Sequence, residues 1–202
     1  MTKGYNNSNP AQMRRSDRAV TDETWVRRFL NQAAVGLLAT SNDNQPYINS
    51  NMFAYNQDAH CIYIHGARDG RTPFNIEQNE HVCFSIMEMG RLLPASRAME
   101  FSVEYAGVVV FGKAYRIDGD EAARALQMLM DKYAPHLKPS EDYHHITEKE
   151  VKQTSVFRID IEHWSGKKKE AAADFPGAYW HSDEGMLDSV KNNDNKVPGS
   201  KK

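Results

Sequence analysis

The residues best suited to chemistry lie in one short turn, RDGRT, at positions 68–72. Arginine offers a fork of N–H donors that matches phosphate geometry, and threonine adds a hydroxyl donor. Glycine lets the backbone N–H groups approach a ligand closely. We therefore predict an anion-binding site at residues 68–72, which we call the anion cradle. An ordinary polar turn with solvated charges is the competing interpretation.

The segments on either side of the anion cradle favour the first interpretation. Residues 61–65 (CIYIH) have the composition of a half-buried strand. Residues 73–79 (PFNIEQN) read as a short helix with proline in its first turn. Such a helix points its N-terminus at the turn, so free N–H groups and the positive end of the helix dipole would face one place.

A second polar feature interrupts a predicted strand over residues 47–55. Asn49, Ser50 and Asn51 occupy positions where an interior strand ordinarily carries valine or isoleucine. Because an unpaired buried amide is costly, these side chains must face solvent or bind a ligand.

A third feature follows the last predicted strand, residues 156–161. The segment 162–169 combines Trp164 with three lysines, Lys167 among them, beside a glycine. A tryptophan and lysines can stack on a planar ligand and neutralise a phosphate. A basic surface turn is the alternative.

The whole chain sets limits on partners and location. It has 202 residues, 40% of them hydrophobic, and a formal net charge of -2, so its overall charge gives no attraction to nucleic acid or membrane. We expect neither as a partner.

No apolar run resembles a signal peptide or spans a bilayer, and the two cysteines form no CxxC pair, so we expect a cytoplasmic protein with free thiols. His144 and His145 lack a third ligand at a recognisable spacing, so we expect no metal site.

The remaining pattern predicts a mainly β protein with flanking helices. A helix with Thr21 as its N-cap precedes the strands, Gly90 and Pro94 predict a loop over residues 88–100, and residues 103–117 form the longest strand. We count six or seven strands, and glycines inside the longest one suggest the bends of a small closed barrel. The predicted organisation is a mobile arm over residues 1–20, one domain over 21–172 and a partly disordered extension over 173–202.

Five segments in this order resemble the pyridoxamine 5'-phosphate oxidase-like, FMN-binding split β-barrel proteins, nearest the branch related to nitroimidazole-resistance proteins. The segments are VGLLATSNDNQPYINSNMFAY, YIHGARDGRT, the Asn-rich helix with HVCF, EYAGVVVFGKAYRI and RIDIEHWSGKKKEA. The resemblance implies a six- to seven-stranded split barrel. It also implies a homodimer with FMN at the interface, touched by both chains.

The resemblance further implies site residues. Those along the flavin ring and ribityl chain would be Asn49, Ser50, Asn51 and Met52. His65, Gly66 and Ala67 would pass beside the cofactor, and Arg71 with Thr72 would hold the phosphate. Trp164 and Lys167 would reach the flavin across the dimer interface. Many relatives carry lysine where this chain has Thr72, and Arg68 is our hypothesis for the compensating charge.

The expected function is that of an FMN-dependent oxidoreductase acting on a small molecule, with FMN carrying the redox chemistry. No side chain is identified as catalytic, and His65 remains open between a proton donor and a structural histidine. True pyridoxamine-phosphate oxidase activity is not expected, because no basic Arg-Leu-His-Asp-Arg type segment follows Trp164. The alternative is a non-catalytic flavin or haem binding or sensing protein of the same fold.

Overall fold

The structure is a computed structural model that describes residues 9–181. Parts of the predicted N-terminal arm (1–8) and of the predicted C-terminal extension (182–202) lie outside the described residues. Contacts divide the chain into two compact units. Of the described residues, the first comprises 9–88 and 106–168, and the second comprises 89–105 and 169–181.

The described residues contain eight strands, four α-helices and two short 3-10 helices. The strands are β1 (Ala19–Val20), β2 (Gly36–Asn42), β3 (Gln45–Asn51), β4 (Phe53–Asn56), β5 (Cys61–Gly66), β6 (His81–Leu93), β7 (Ser102–Ile117) and β8 (Ser155–Lys169). The helices are α1 (Glu23–Gln32), α2 (Arg71–Gln78), α3 (Gly119–Tyr133) and α4 (Glu148–Gln153). None of these helices is long and apolar enough to cross a membrane.

All eight strands belong to one sheet in the order β3-β2-β6-β7-β8-β5-β4, with β1 paired to β8. Antiparallel ladders join β2 to β3 and β6, and join β5 to β4 and β8. The predicted class, mainly β with flanking helices, is confirmed. The sheet is not closed, because no ladder among the described residues joins its end strands β3 and β4.

The predicted strand count of six or seven is too low. The run predicted as one strand over residues 47–55 is divided at Met52 into β3 and β4. The hydroxyl oxygen of Tyr133, at the end of α3, accepts from the Phe53 N–H at 2.9 Å, and its one proton faces the Ala34 carbonyl at 2.6 Å and the Phe53 carbonyl at 3.1 Å. This hydroxyl satisfies the Phe53 N–H beside the point where the strand breaks.

The predicted loop over residues 88–100 is wrong in its first half, since β6 continues to Leu93. Gly90 lies where β6 pairs closely with β7, and it does not form a turn. A Cβ at position 90 would stand 2.7 Å from the Cβ of Glu104, so the pairing leaves no room for a side chain. Sequence patterning also missed the strand character of residues 162–169, which extend β8, and the whole of α4.

The core of the first unit lies between the sheet and α1 with α2. Its largest fully buried side chains include Phe53, Phe84 and Phe157. Helix α1 begins as its pattern predicts, although the N-cap is Asp22 and not Thr21: the Asp22 carboxylate accepts from the Thr24 N–H at 2.9 Å. The core thus fixes the side of the sheet against which α2 rests.

Candidate functional site

A pocket of about 200 Å³ opens where β3, the end of β5 and the start of α2 meet. Its lining combines amide, hydroxyl, charged and aromatic groups. The lining residues are Tyr47, Asn49, Asn51, Ile64, His65, Gly66, Ala67, Asp69, Gly70, Arg71, Thr72, Pro73 and Phe157. The anion cradle and the polar patch of the predicted strand therefore meet in one cavity.

Strand alternation explains which polar residues of β3 enter the pocket. Tyr47, Asn49 and Asn51 share one parity and line it, whereas Ser50 lies between them on the opposite face. Asn51 is almost fully buried, and its Nδ2 donates to the Asn49 carbonyl at 2.9 Å. Met52 is exposed and does not line the pocket. The sequence identifies the polar patch, and the alternation of side chains along β3 places Asn49 and Asn51 of that patch in the pocket.

The start of α2 is built to receive a negative charge. Its N-cap is Gly70, whose φ of 139° is a backbone conformation that other residues rarely adopt, and no side chain caps the helix there. Pro73 has no N–H to satisfy, which leaves the N–H groups of Arg71 and Thr72 at the uncapped end. The positive end of the helix dipole adds to them.

Arg71 supplies the one guanidinium group in the pocket lining. Its guanidinium carbon lies 5.8 Å from the centre of the Tyr47 ring, a cation–π distance. Asp69 lines the same cavity and opposes a bound anion. Tyr47 was not predicted as a site residue, although it shares the parity of Asn49 and Asn51.

Arg68, our hypothesis for the compensating charge, does not line the pocket in this structure. Its Nη1 donates instead to the Lys152 carbonyl at 2.6 Å. Phe157 of β8, which lines the pocket, could not be assigned from the sequence because it comes from a strand some 85 residues further along.

Two amides hold α2 against β2. Asn75 Nδ2 donates to Thr40 Oγ1 at 2.9 Å, and Asn79 Nδ2 donates to Ser41 Oγ at 3.1 Å. Asn75 lies within α2, and Asn79, four residues further on, is its C-cap. Asn75 and Thr40 are both buried, so this pair fixes the orientation of the helix that carries Arg71 and Thr72.

Two predicted site residues, Trp164 and Lys167, lie away from the pocket of their own chain. Trp164 borders a different cavity of about 440 Å³, in edge-to-face contact with His60 at 4.8 Å between ring centres. The guanidinium carbon of Arg27 is 5.1 Å from the Trp164 ring. Lys167 pairs with Ala19 of β1. Their predicted contact with the flavin therefore depends on a second copy of the chain.

His65 lies on β5 opposite Val156 of β8 and is exposed on the pocket wall. Gly66 and Ala67 follow it along the same wall. The seven predicted site residues that meet in this pocket are Asn49, Asn51, His65, Gly66, Ala67, Arg71 and Thr72. No group of three or more histidine, cysteine or carboxylate side chains between residues 9 and 181 is placed to hold a metal ion.

Solved structures share this fold. The flavocytochrome Anf3 from Azotobacter vinelandii matches with a TM-score of 0.68 at 19% identity, over 87% of this chain and 78% of that chain. The FAD and heme binding protein from Mycobacterium smegmatis matches with a TM-score of 0.69 at 20% identity, over 85% of this chain and 80% of that chain. A candidate 5-nitroimidazole antibiotic resistance protein from Bacteroides thetaiotaomicron matches with a TM-score of 0.61 at 19% identity, over 75% of this chain and 90% of that chain. At these identities the likeness establishes the fold.

Sequence comparison identifies the family. No curated protein matches the chain. The profile of the family described as pyridoxamine 5'-phosphate oxidase matches residues 22–168, which include every strand from β2 to β7 and nearly all of β8. The chain therefore belongs to the pyridoxamine 5'-phosphate oxidase family.

Proposed function

We propose that the chain is a flavoprotein that binds FMN with its phosphate in the anion cradle. The observation that carries the proposal is the uncapped start of α2, where the Arg71 guanidinium and the Thr72 hydroxyl line one pocket. A phosphate dianion needs N–H and O–H donors together with positive charge, and this end of α2 offers each of them. Two of the similar structures are described by their flavin or flavocytochrome content, which agrees with a flavin here.

The residues around the cradle suit the rest of the flavin. Asn49 and Asn51 offer amide donors and acceptors for the ribityl hydroxyls and the polar edge of the ring. Tyr47 and Phe157 contribute aromatic faces to the same lining. This mixture of aromatic walls and few polar groups is typical of a cofactor pocket.

The proposed activity is that of an oxidoreductase acting on a small molecule. Bound FMN supplies two-electron redox chemistry, while the protein binds it, orients it and sets its electrostatic surroundings. Arg71 and the N–H groups of α2 fix the phosphate end, and the amides of β3 orient the remainder. No side chain is assigned a catalytic role. Two free thiols, Cys61 and Cys83, agree with the expected reducing, cytoplasmic setting.

We further propose that the chain forms a homodimer through the outer face of β3, β2 and β6. One cross-strand row on this face is Ile48, Ala39 and Cys83, and the next is Ser50, Leu37 and Ser85. Ile48 is 63% exposed and Leu37 is 46% exposed, and neither row contains a charged side chain. An exposed apolar face of this kind favours association with a second copy. Because β3 is an end strand of the sheet and bears the pocket on its other face, the partner's Trp164 and Lys167 would have to pass around this edge to reach the flavin.

The test is a comparison of flavins on the purified wild-type chain. We expect a yellow protein whose released cofactor has the mass of FMN, and whose apo form binds FMN at least tenfold tighter than riboflavin, which lacks the phosphate. Equal affinity for FMN and riboflavin would contradict the placement of the FMN phosphate in the anion cradle. Tighter binding of FAD than of FMN would identify FAD as the cofactor in place of FMN.

Reduction separates the two functional classes. Bleaching of the flavin bands by NADH or NADPH supports the oxidoreductase. A Soret band, or flavin that no donor reduces, supports the alternative of a haem or flavin carrier without turnover.

A further inference from the structure

The segment that joins β5 to α2 has little packing to hold it. Residues 65–71 are all exposed. A Cβ added at Gly66 or at Gly70 would meet no atom within 4 Å, so no neighbouring group presses on the backbone at either position. A turn that must present its N–H groups in a fixed direction therefore needs another constraint, since exposed segments of this kind ordinarily sample many conformations.

Arg116 of β7 supplies one such constraint from the core side. Its Nη2 donates to the Arg68 carbonyl at 2.9 Å, and the same atom donates to Ser155 Oγ. Ser155 is buried, which anchors the guanidinium group. The guanidinium carbon also lies 5.9 Å from the centre of the Phe157 ring, which lines the pocket. Arg116 thus ties the middle of the turn to β8.

Arg68 supplies the second constraint through its own side chain. Its Nη1 donates to the Lys152 carbonyl at 2.6 Å, near the C-terminal end of α4. A cation at that end of a helix is favourably placed toward the unpaired carbonyls. Residue 68 is therefore held at its carbonyl by Arg116 and at its side chain by α4, and both bonds span long stretches of chain.

We propose that Arg68 and Arg116 are positioning residues that hold the anion cradle in its phosphate-binding conformation. The inference rests on the proposed function. Neither arginine lines the pocket, so we assign neither of them a direct contact with the phosphate. Their contribution is to raise the fraction of molecules whose turn is already competent to bind, and apparent affinity scales with that fraction. A binding contact and a positioning contact then differ in a measurable way, because only the former changes how strongly salt weakens binding.

The experiment uses two variants and a matched control. Arg116→Lys keeps the positive charge, but the lysine side chain ends one bond short of the Nη2 position that donates to both acceptors. Arg68→Gln removes the bond to α4 from an exposed position. Arg158→Lys is the control: Arg158 lies on β8 and donates to Glu121 at 2.9 Å and Asp160 at 2.7 Å, and it does not touch the turn. Each is titrated with FMN at several salt concentrations, and amide hydrogen exchange is followed over residues 66–72.

We expect Arg116→Lys to bind FMN about tenfold more weakly with the salt dependence of the wild type. In both variants the amides of residues 66–72 should exchange faster in the free protein and return to the wild-type rate at saturating FMN. Arg158→Lys should match the wild type in affinity and in the exchange of this turn. If Arg116→Lys does not fold, the exchange and affinity of Arg68→Gln decide the question.

Other outcomes separate this inference from the function on which it rests. If the wild type binds no FMN, the proposed function and the positioning role are both wrong. If Arg71→Ala weakens FMN binding while Arg116→Lys and Arg68→Gln match the wild type in affinity and turn exchange, the phosphate assignment stands and the positioning role is overturned. A reduced salt dependence in Arg116→Lys would make Arg116 a direct phosphate ligand, which also overturns it.

Discussion

The guanidinium carbon of Arg71 lies 5.8 Å from the centre of the Tyr47 ring, which joins the first turn of α2 to β3 across the pocket. Stacking on an aromatic face leaves the N–H edges of a guanidinium group free to donate. The contact thus fixes the direction of the one arginine in the lining while keeping its donors for a ligand. It also links the two polar features that the sequence presents twenty residues apart.

Thr72→Lys should strengthen FMN binding. The threonine supplies a hydroxyl but no charge, and Arg71 is the one arginine or lysine in the pocket lining. A charge-assisted bond to phosphate is worth roughly 1.5–3 kcal/mol, so we expect about tenfold or more tighter binding of FMN and no change for riboflavin. Isothermal titration measures both. Gln78→Lys, at the far end of α2, is the matched control and should leave both affinities unchanged.

Asp69→Asn should also strengthen FMN binding, through removal of a like charge. The Asp69 carboxylate lines the cavity that receives the phosphate, and screening by salt reduces such a repulsion. We expect severalfold tighter binding at low ionic strength and a smaller gain at high ionic strength. Asp58→Asn, an exposed position between β4 and β5, carries the same charge change outside the pocket. Weaker binding in Asp69→Asn would mean that this carboxylate accepts a hydrogen bond from the ligand.

Ile48→Glu should abolish the proposed dimer. A glutamate in the apolar row of β3 would face its copy across the interface and would lose solvation there. Light scattering coupled to size exclusion should give the mass of a dimer for the wild type and of a monomer for the variant. Met99→Glu adds the same charge at a residue that is 96% exposed in the second unit, and it should remain dimeric. A wild-type monomer that retains FMN would contradict the shared interface and the assignment of Trp164 and Lys167.

Glu104→Gln should remove part of the acid sensitivity of the protein. Hydrogen bonds from the Arg91 side chain, 2.7 and 2.8 Å long, and one from the Ala171 N–H lower the pKa of Glu104 to about 2. Since the carboxyl pKa is depressed by folding, its stabilisation is present above the ordinary value near 4.5 and is lost as pH falls toward 2.

Denaturant midpoints between pH 7 and pH 2 check this prediction. The Glu104→Gln variant should be less stable than the wild type at pH 7, and the difference should shrink as the pH falls below 4.5. The control is Glu77→Gln, an exposed glutamate on α2. Parallel pH profiles for the wild type and Glu104→Gln would contradict the role of the Arg91 pair.

The parts of the site that the sequence predicts are the local ones. The spacing of apolar residues located α1, and the glycine, arginine and proline around residue 70 located the start of α2 and the direction of its N–H groups. Alternation along β3 is enough to separate Asn49 and Asn51 from Ser50 once the strand is recognised. These features depend on neighbours within one turn or one strand.

The parts that could not be predicted depend on distant chain segments. The direction of the Arg68 side chain is set by a carbonyl of α4, 84 residues further on, and α4 itself lies in a polar stretch without an apolar stripe. Gly90 reads as a turn residue locally but is required by the approach of Glu104 from the paired strand. Phe157 enters the pocket only because β8 pairs with β5.

The most direct test of the phosphate assignment is the FMN affinity of Arg71→Ala beside that of Arg28→Ala, an exposed arginine of α1 with the same change in charge. Loss of a charged hydrogen bond costs about 1.5–3 kcal/mol, so Arg71→Ala should bind FMN at least tenfold more weakly and lose most of its preference over riboflavin. Arg28→Ala should match the wild type. Equal FMN affinity in Arg71→Ala and the wild type would contradict the placement of the phosphate at α2.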